Sequence, residues 1–106
     1  MQNIISIGDK LDMEQLFHGE PETDTQRRRV FNCRIMDMPA ENVLRITMPL
    51  YEGRLVPLEV AAQYRISTYA QKGIYEGDFV VINRLKDGNL FLADMELQGS
   101  LKKVQR

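Results

Sequence analysis

Phe79-Val80-Val81-Ile82-Asn83-Arg84 and Leu90-Phe91-Leu92-Ala93-Asp94-Met95-Glu96-Leu97 are apolar runs joined through Lys86-Asp87-Gly88-Asn89. Asp-Gly supplies the positive φ angles of a tight turn, so residues Phe79 to Leu97 predict an antiparallel hairpin. The same period-two alternation recurs upstream. Gln63 to Tyr69 sets Tyr64, Ile66 and Thr68 against Arg65, Ser67 and Tyr69. Val43 to Met48 is a further strand, ended by Pro49, which has no N–H to give a ladder. Arg29 to Met38 alternates Val30, Asn32, Arg34 and Met36 with Phe31, Cys33, Ile35 and Asp37. Leu11 and Met13 begin a first strand after a turn at Gly8-Asp9, and Leu55 to Leu58 is short and edge-like.

Six or so short strands with turn signals about every ten residues predict an antiparallel barrel or sandwich. Val60-Ala61-Ala62 offers at most one turn of helix. Gly73 and Gly77 bracket Ile74-Tyr75-Glu76, and all the glycines, Gly99 included, read as turn glycines. His18 to Gln26 is polar, turn-rich and without periodic apolar residues, the chain's one real loop.

A chain of 106 residues is one domain with one core. Its 43% hydrophobic and 27% charged content is that of an ordinary globular protein, and a net charge of −1 supplies no overall attraction to nucleic acid or anionic membrane. A single cysteine closes no internal disulfide and fits a reducing compartment. There is no signal peptide and no apolar stretch of spanning length, which makes a cytoplasmic domain the expectation.

The residues that carry chemistry elsewhere form no constellation here. His18 stands alone and reads as a solvated loop residue. Cys33 shares the phase of Phe31 and Ile35, which predicts a small buried core residue without an activating base. The carboxylates Asp9, Asp12, Glu14, Glu20, Glu22 and Asp24 are scattered, and no glycine-rich phosphate loop is present. No enzyme and no metal site is therefore expected. Arg27-Arg28-Arg29 reads as charge balance for the acidic loop beside it. Leu101-Lys102-Lys103-Val104-Gln105-Arg106 reads either as a basic tail or as a connector whose arginine grips a planar, doubly charged ligand through forked hydrogen bonds.

Several stretches, in order, resemble the N-terminal (PilZN) domain of YcgR-like flagellar brake proteins. They are Ile7-Gly8-Asp9-Lys10-Leu11, Ile46-Thr47-Met48-Pro49, Gly53-Arg54-Leu55-Val56-Pro57-Leu58, Tyr64-Arg65-Ile66-Ser67, Gly73-Ile74-Tyr75, Asn83-Arg84 and the exit Lys102 to Arg106. The resemblance implies an all-β fold, a six- to seven-stranded antiparallel split β-barrel like that of flavin reductases. It assigns residues 1–101 to the barrel and 102–106 to the start of a linker into a PilZ domain. In that family the linker's R-x-x-x-R arginines hold cyclic di-GMP, so Gln105 and Arg106 match the beginning of the ligand motif. The implied role is non-enzymatic control of flagellar motility, with the PilZ domain, cyclic di-GMP and motor or stator proteins as partners. The longer loop from 18 to 28 departs from the pattern and carries no assigned role. Two other classes remain open: a flavin-binding split-barrel oxidoreductase, hinted at by Arg65, Ser67 and Thr68, and an OB-like nucleic-acid-binding barrel.

Overall fold

A computed structural model describes residues 1, 3–16 and 30–104. The alternating segments become β1 (Lys10–Leu16), β2 (Val30–Ala40), β3 (Val43–Thr47), β4 (Leu50–Tyr51), β5 (Arg54–Leu55), β6 (Gln63–Ala70), β7 (Gly73–Asp87) and β8 (Leu90–Lys103). Six of them close an antiparallel barrel in the order β1-β2-β3-β8-β7-β6, and β4 and β5 form a separate two-stranded ribbon. The all-β split-barrel expectation holds. Closure removes the sheet edges that an open sheet of this size would expose.

Register explains which side chains meet inside. Leu11 and Met13 of β1 lie opposite Cys33 and Phe31 of β2 and opposite Thr68 and Ile66 of β6. Ile35 faces Ile46 across β2 and β3, and Leu44 and Ile46 face Met95 and Ala93 across β3 and β8. All of these side chains are buried, as are Phe79 and Val81 of β7. Each large apolar side chain so enclosed stabilises the barrel by about 1.5–3 kcal/mol. Three residues outside the strands complete the core: Met48, just after β3, Ile5 from the segment before β1 and Leu58 from the segment before β6; the last two act as plugs. β1 and β6 run antiparallel, with Lys10 opposite Tyr69 and Leu16 opposite Gln63, so these plugs come from segments leading into opposite ends of that pair.

The structure departs from the sequence expectations at three places. β7 does not break at Gly77 but runs on for 15 residues. Gly77 is a packing position rather than a turn: a Cβ there would lie 2.9 Å from both Leu97 Cδ1 and Leu101 Cδ2. Gly99, φ +85°, belongs to an irregularity within β8, where Glu76 pairs with Lys102 but Asp78 already pairs with Gln98. β8 therefore includes Lys102 and Lys103, which the sequence placed in the connector. Leu55 to Leu58 contributes only Leu55 to a strand.

Turn chemistry follows the backbone demands. Glu52 (φ 51°) and Gly53 (φ 78°) give the β4–β5 turn the two positive φ angles of a type I′ connection. At the β7–β8 turn only Gly88 is positive, φ 61°, the pattern of a type II′ turn with glycine first.

Candidate functional site at the exit of the barrel

The chain leaves the barrel along β8. Its last strand residues are held by β7, with Lys102 opposite Glu76 and Lys103 opposite Tyr75. The Val104 N–H then donates to the Ile74 carbonyl at 2.8 Å. Gly73, at the start of β7, takes φ +139°, a backbone conformation that favours glycine. The exit is thus stiff as far as Val104. Gln105 and Arg106, the residues matched to a ligand-gripping linker, lie outside the described residues, as do His18, Glu20, Glu22, Asp24 and Arg27 to Arg29.

Beside the exit Arg65 is paired with two carboxylates. The Arg65 Nε–H donates to Asp78 Oδ1 at 3.0 Å, and Glu76 Oε1 lies 3.7 Å away. The hydrogen bond to Asp78, reinforced by the carboxylate charges, holds the Arg65 guanidinium still more firmly in its cationic form. Gln98 and Lys102 line the same shallow groove of about 330 Å³. Alternation places Arg65 and Ser67 on the outer face of β6 and Thr68 on the inner one, where it is fully buried. The three residues that hinted at a flavin-phosphate site therefore do not converge. Thr68 Oγ1 has no hydrogen-bond partner among the described residues.

A second ion pair sits on the other side of the barrel. Arg45 donates to Asp94 through both Nε and Nη2, at 2.8 and 3.2 Å, and Asp37 stands 3.9 Å from Nη1. The Asp94 side chain is only 8% exposed, so this forked pair satisfies a carboxylate that the strand would otherwise bury unpaired.

Cys33 is buried as its phase predicts, with its thiol against Met13 Sδ at 3.5 Å. Burial, and secondarily the charge of Asp12, pushes the thiol up to about 12 from an ordinary 9.0, which removes the thiolate that nucleophilic chemistry needs. Burial, with Cys33 and Glu59 adding to it, likewise pushes the Tyr64 hydroxyl up to about 12.

A depression of about 670 Å³ lies over the outer faces of β1, β2 and β6 and is lined by Lys10, Asp12, Asn32, Arg34, Met36 and Tyr69 among others. Some of its polar groups are used within the protein: the Tyr69 hydroxyl donates to Asp12, and Arg34 Nη1 donates to the Gly8 carbonyl at 3.2 Å. Among the described residues no group of three or more His, Cys, Asp or Glu side chains is placed to hold a metal ion. No helix there is long and apolar enough to cross a membrane.

Comparison with known proteins gives the exit its context. The family model PilZNR, described as flagellar protein YcgR, matches residues 6–93. The solved structure of the Bacillus subtilis inhibitor of motility (MotI/DgrA) has the same fold, with a TM-score of 0.75 at 19% sequence identity. The match covers 96% of this chain and 47% of that one, so the chain spans about half the length of its structural relative. No curated protein matches the sequence.

Proposed function

The chain belongs to the PilZNR family of flagellar YcgR proteins, and from that footing we propose that it is a non-enzymatic regulatory domain of a cyclic di-GMP-responsive motility protein. The family match across residues 6–93 carries this proposal. The domain works beside a PilZ domain, and Gln105 and Arg106 begin the hinge between them. Arg106 takes one phosphate of cyclic di-GMP by forked hydrogen bonds, a geometry that a lysine does not reproduce. Ordering of the hinge by the dinucleotide reorients the barrel, whose closed wall moves as one body. The stiff exit supports this mechanism: with β8 paired through Lys103 and Val104 bonded to Ile74, a torque at residue 105 passes directly into the barrel. The output is contact between an exposed barrel face and a flagellar motor or stator component in the cytoplasm.

Calorimetric titration of cyclic di-GMP into the chain joined to its PilZ domain tests the role of the hinge. The account expects binding, weakened about tenfold or more by Arg106→Ala. Equal affinity of the two proteins contradicts the assignment of Arg106, and no binding by either contradicts the proposed ligand.

A further inference from the structure

The β7–β8 hairpin is longer than the barrel wall it helps to build. Pairing of β6 with β7 ends at Gln63–Val80, and Ala61 and Ala62 cover the backbone of Val81. From Ile82 to Asp87 no described residue pairs with that edge of β7, while β8 continues along the other edge.

At the point of departure the strand changes phase. Val81 lies opposite Met95, but Asn83 lies opposite Asp94, so Ile82 is an extra residue. Up to Val81 the odd-numbered residues face the core; after the bulge the even-numbered ones do. Arg84 then lies opposite the buried Ala93, and Lys86 opposite Phe91. Directly opposite residues share a face. The core face of the barrel is thereby extended beyond the wall as a surface bearing two cations.

That surface borders a groove of about 370 Å³ between the hairpin and the β4–β5 ribbon, with Met48, Leu55, Pro57, Leu85 and Phe91 as its apolar lining. Leu55 and Phe91 are each 42% exposed, so the groove is open. Lys86 Nζ lies 5.2 Å from the Phe91 ring centre. No carboxylate lines the groove, and Asp87, next along the strand, alternates to the opposite face, where its charge acts on Arg45.

Backbone geometry adds a direction. The two-residue turn makes Asp87–Leu90 a hydrogen-bonded pair, and alternation makes Leu85–Leu92 the next one. The N–H and C=O groups of Arg84 and Lys86 consequently point to the open edge. An added antiparallel strand would pair with these two residues, bringing its own side chains to about 5 Å from theirs.

We infer that the open edge of β7 from Ile82 to Asp87 docks an extended segment of a partner protein in which carboxylates alternate with aliphatic residues. Its carboxylates face Arg84 and Lys86 over the groove, and its aliphatic residues alternate to the other face. A second copy of this edge is a poor occupant, since like charges would stand opposite one another. The inference supplies a partner chemistry for the regulatory module proposed above. It does not require cyclic di-GMP, so the two tests fail independently.

Fluorescence anisotropy with the 106-residue chain decides it, using labelled hexapeptides of alternating Glu and Val, the same with Lys for Glu, and a labelled deoxythymidine oligonucleotide. The Glu-Val peptide is expected to bind at least about tenfold more tightly than the Lys-Val peptide. Arg84→Glu with Lys86→Glu is expected to reverse that preference, and Arg84→Gln with Lys86→Gln to abolish it, each with an unchanged circular dichroism spectrum. Equal binding of the two peptides overturns the inference, as does indifference to both double substitutions. Oligonucleotide binding tighter than that of the Glu-Val peptide, lost in the Gln variant, overturns it in favour of a nucleic-acid site.

Discussion

Within the wall, β7 sets Phe79 and Val81 against Leu97 and Met95, and its other edge is paired by β6 as far as Val80 and by Ala61 and Ala62 at Val81. Five residues further on, the same ribbon sets Arg84 and Lys86 against Ala93 and Phe91, with no described residue paired along one edge. Both halves are antiparallel and contain apolar residues. What separates them is a neighbour on one edge and a single inserted residue, Ile82. The wall half makes stability, whereas the overhanging half leaves polar groups and an aromatic ring available. One strand thus serves as scaffold and as recognition element, divided at a bulge.

The largest expected effect contrasts the two aromatic residues. Phe79→Ala, within the wall and fully buried, costs about 3–5 kcal/mol in urea unfolding. Phe91→Ala, on the half-open overhang, costs about 1 kcal/mol or less. Equal losses would mean that the overhang is part of the core.

The next effect lies at the dividing point. Asp94, opposite Asn83, is paired by Arg45. Arg45→Met leaves that carboxylate without its partner and costs about 2–3 kcal/mol. Adding Asp94→Leu is expected to recover most of the loss, because an apolar pair removes the burial penalty. Failure of the double variant to recover would indicate that the pair is needed for the bulge itself.

Much of the wall was legible in the sequence, and the overhang was not. Period-two alternation placed Leu11, Met13, Phe31, Cys33, Ile35, Tyr64 and Ile66 correctly on the inner face. Alternation reports phase only while register is constant. Ile82, an ordinary β-branched residue in an apolar run, gives no local sign that phase inverts there, and Lys86, placed by the sequence in the turn, lies instead within β7. Gly77 misled for a related reason: a glycine that admits Leu97 and Leu101 looks in sequence like one that permits a turn. For the candidate linker arginine the basic run alone left a tail and a ligand-gripping connector equally open, and only family resemblance favours the connector, because Arg106 takes its meaning from residues beyond the strand pattern.

Alkaline pH separates the halves again. Cys33 and Tyr64 are wall residues held neutral in the fold, with folded pKa values of about 12 above ordinary values of 9.0 and 10.0. Their contribution is fully present below pH 9 and is lost as pH rises towards 12. Unfolding by urea at pH 10.5 is expected to show a loss of about 1–2 kcal/mol relative to pH 8.5, reduced in Cys33→Val. A flat profile would mean that water reaches the wall interior.

The smallest effect is at Ala61, whose N–H donates to the Val81 carbonyl at 2.8 Å, at the last covered position of β7. Its φ of 77° is unfavourable for a residue with a Cβ. Ala61→Gly relieves that strain at some entropic cost, for a net gain of about 0.5 kcal/mol in urea unfolding. A loss instead would show that the Ala61 methyl group contributes to the cover of the edge.

Small-angle X-ray scattering tests most directly whether the barrel is a rigid body turned by an ordered hinge. Scattering from the chain joined to its PilZ domain, with and without cyclic di-GMP, is expected to show a changed interdomain distance distribution on addition of the dinucleotide. The 106-residue chain alone is expected to give the same curve under both conditions. An unchanged distribution in the two-domain protein, with the dinucleotide bound, would contradict the account.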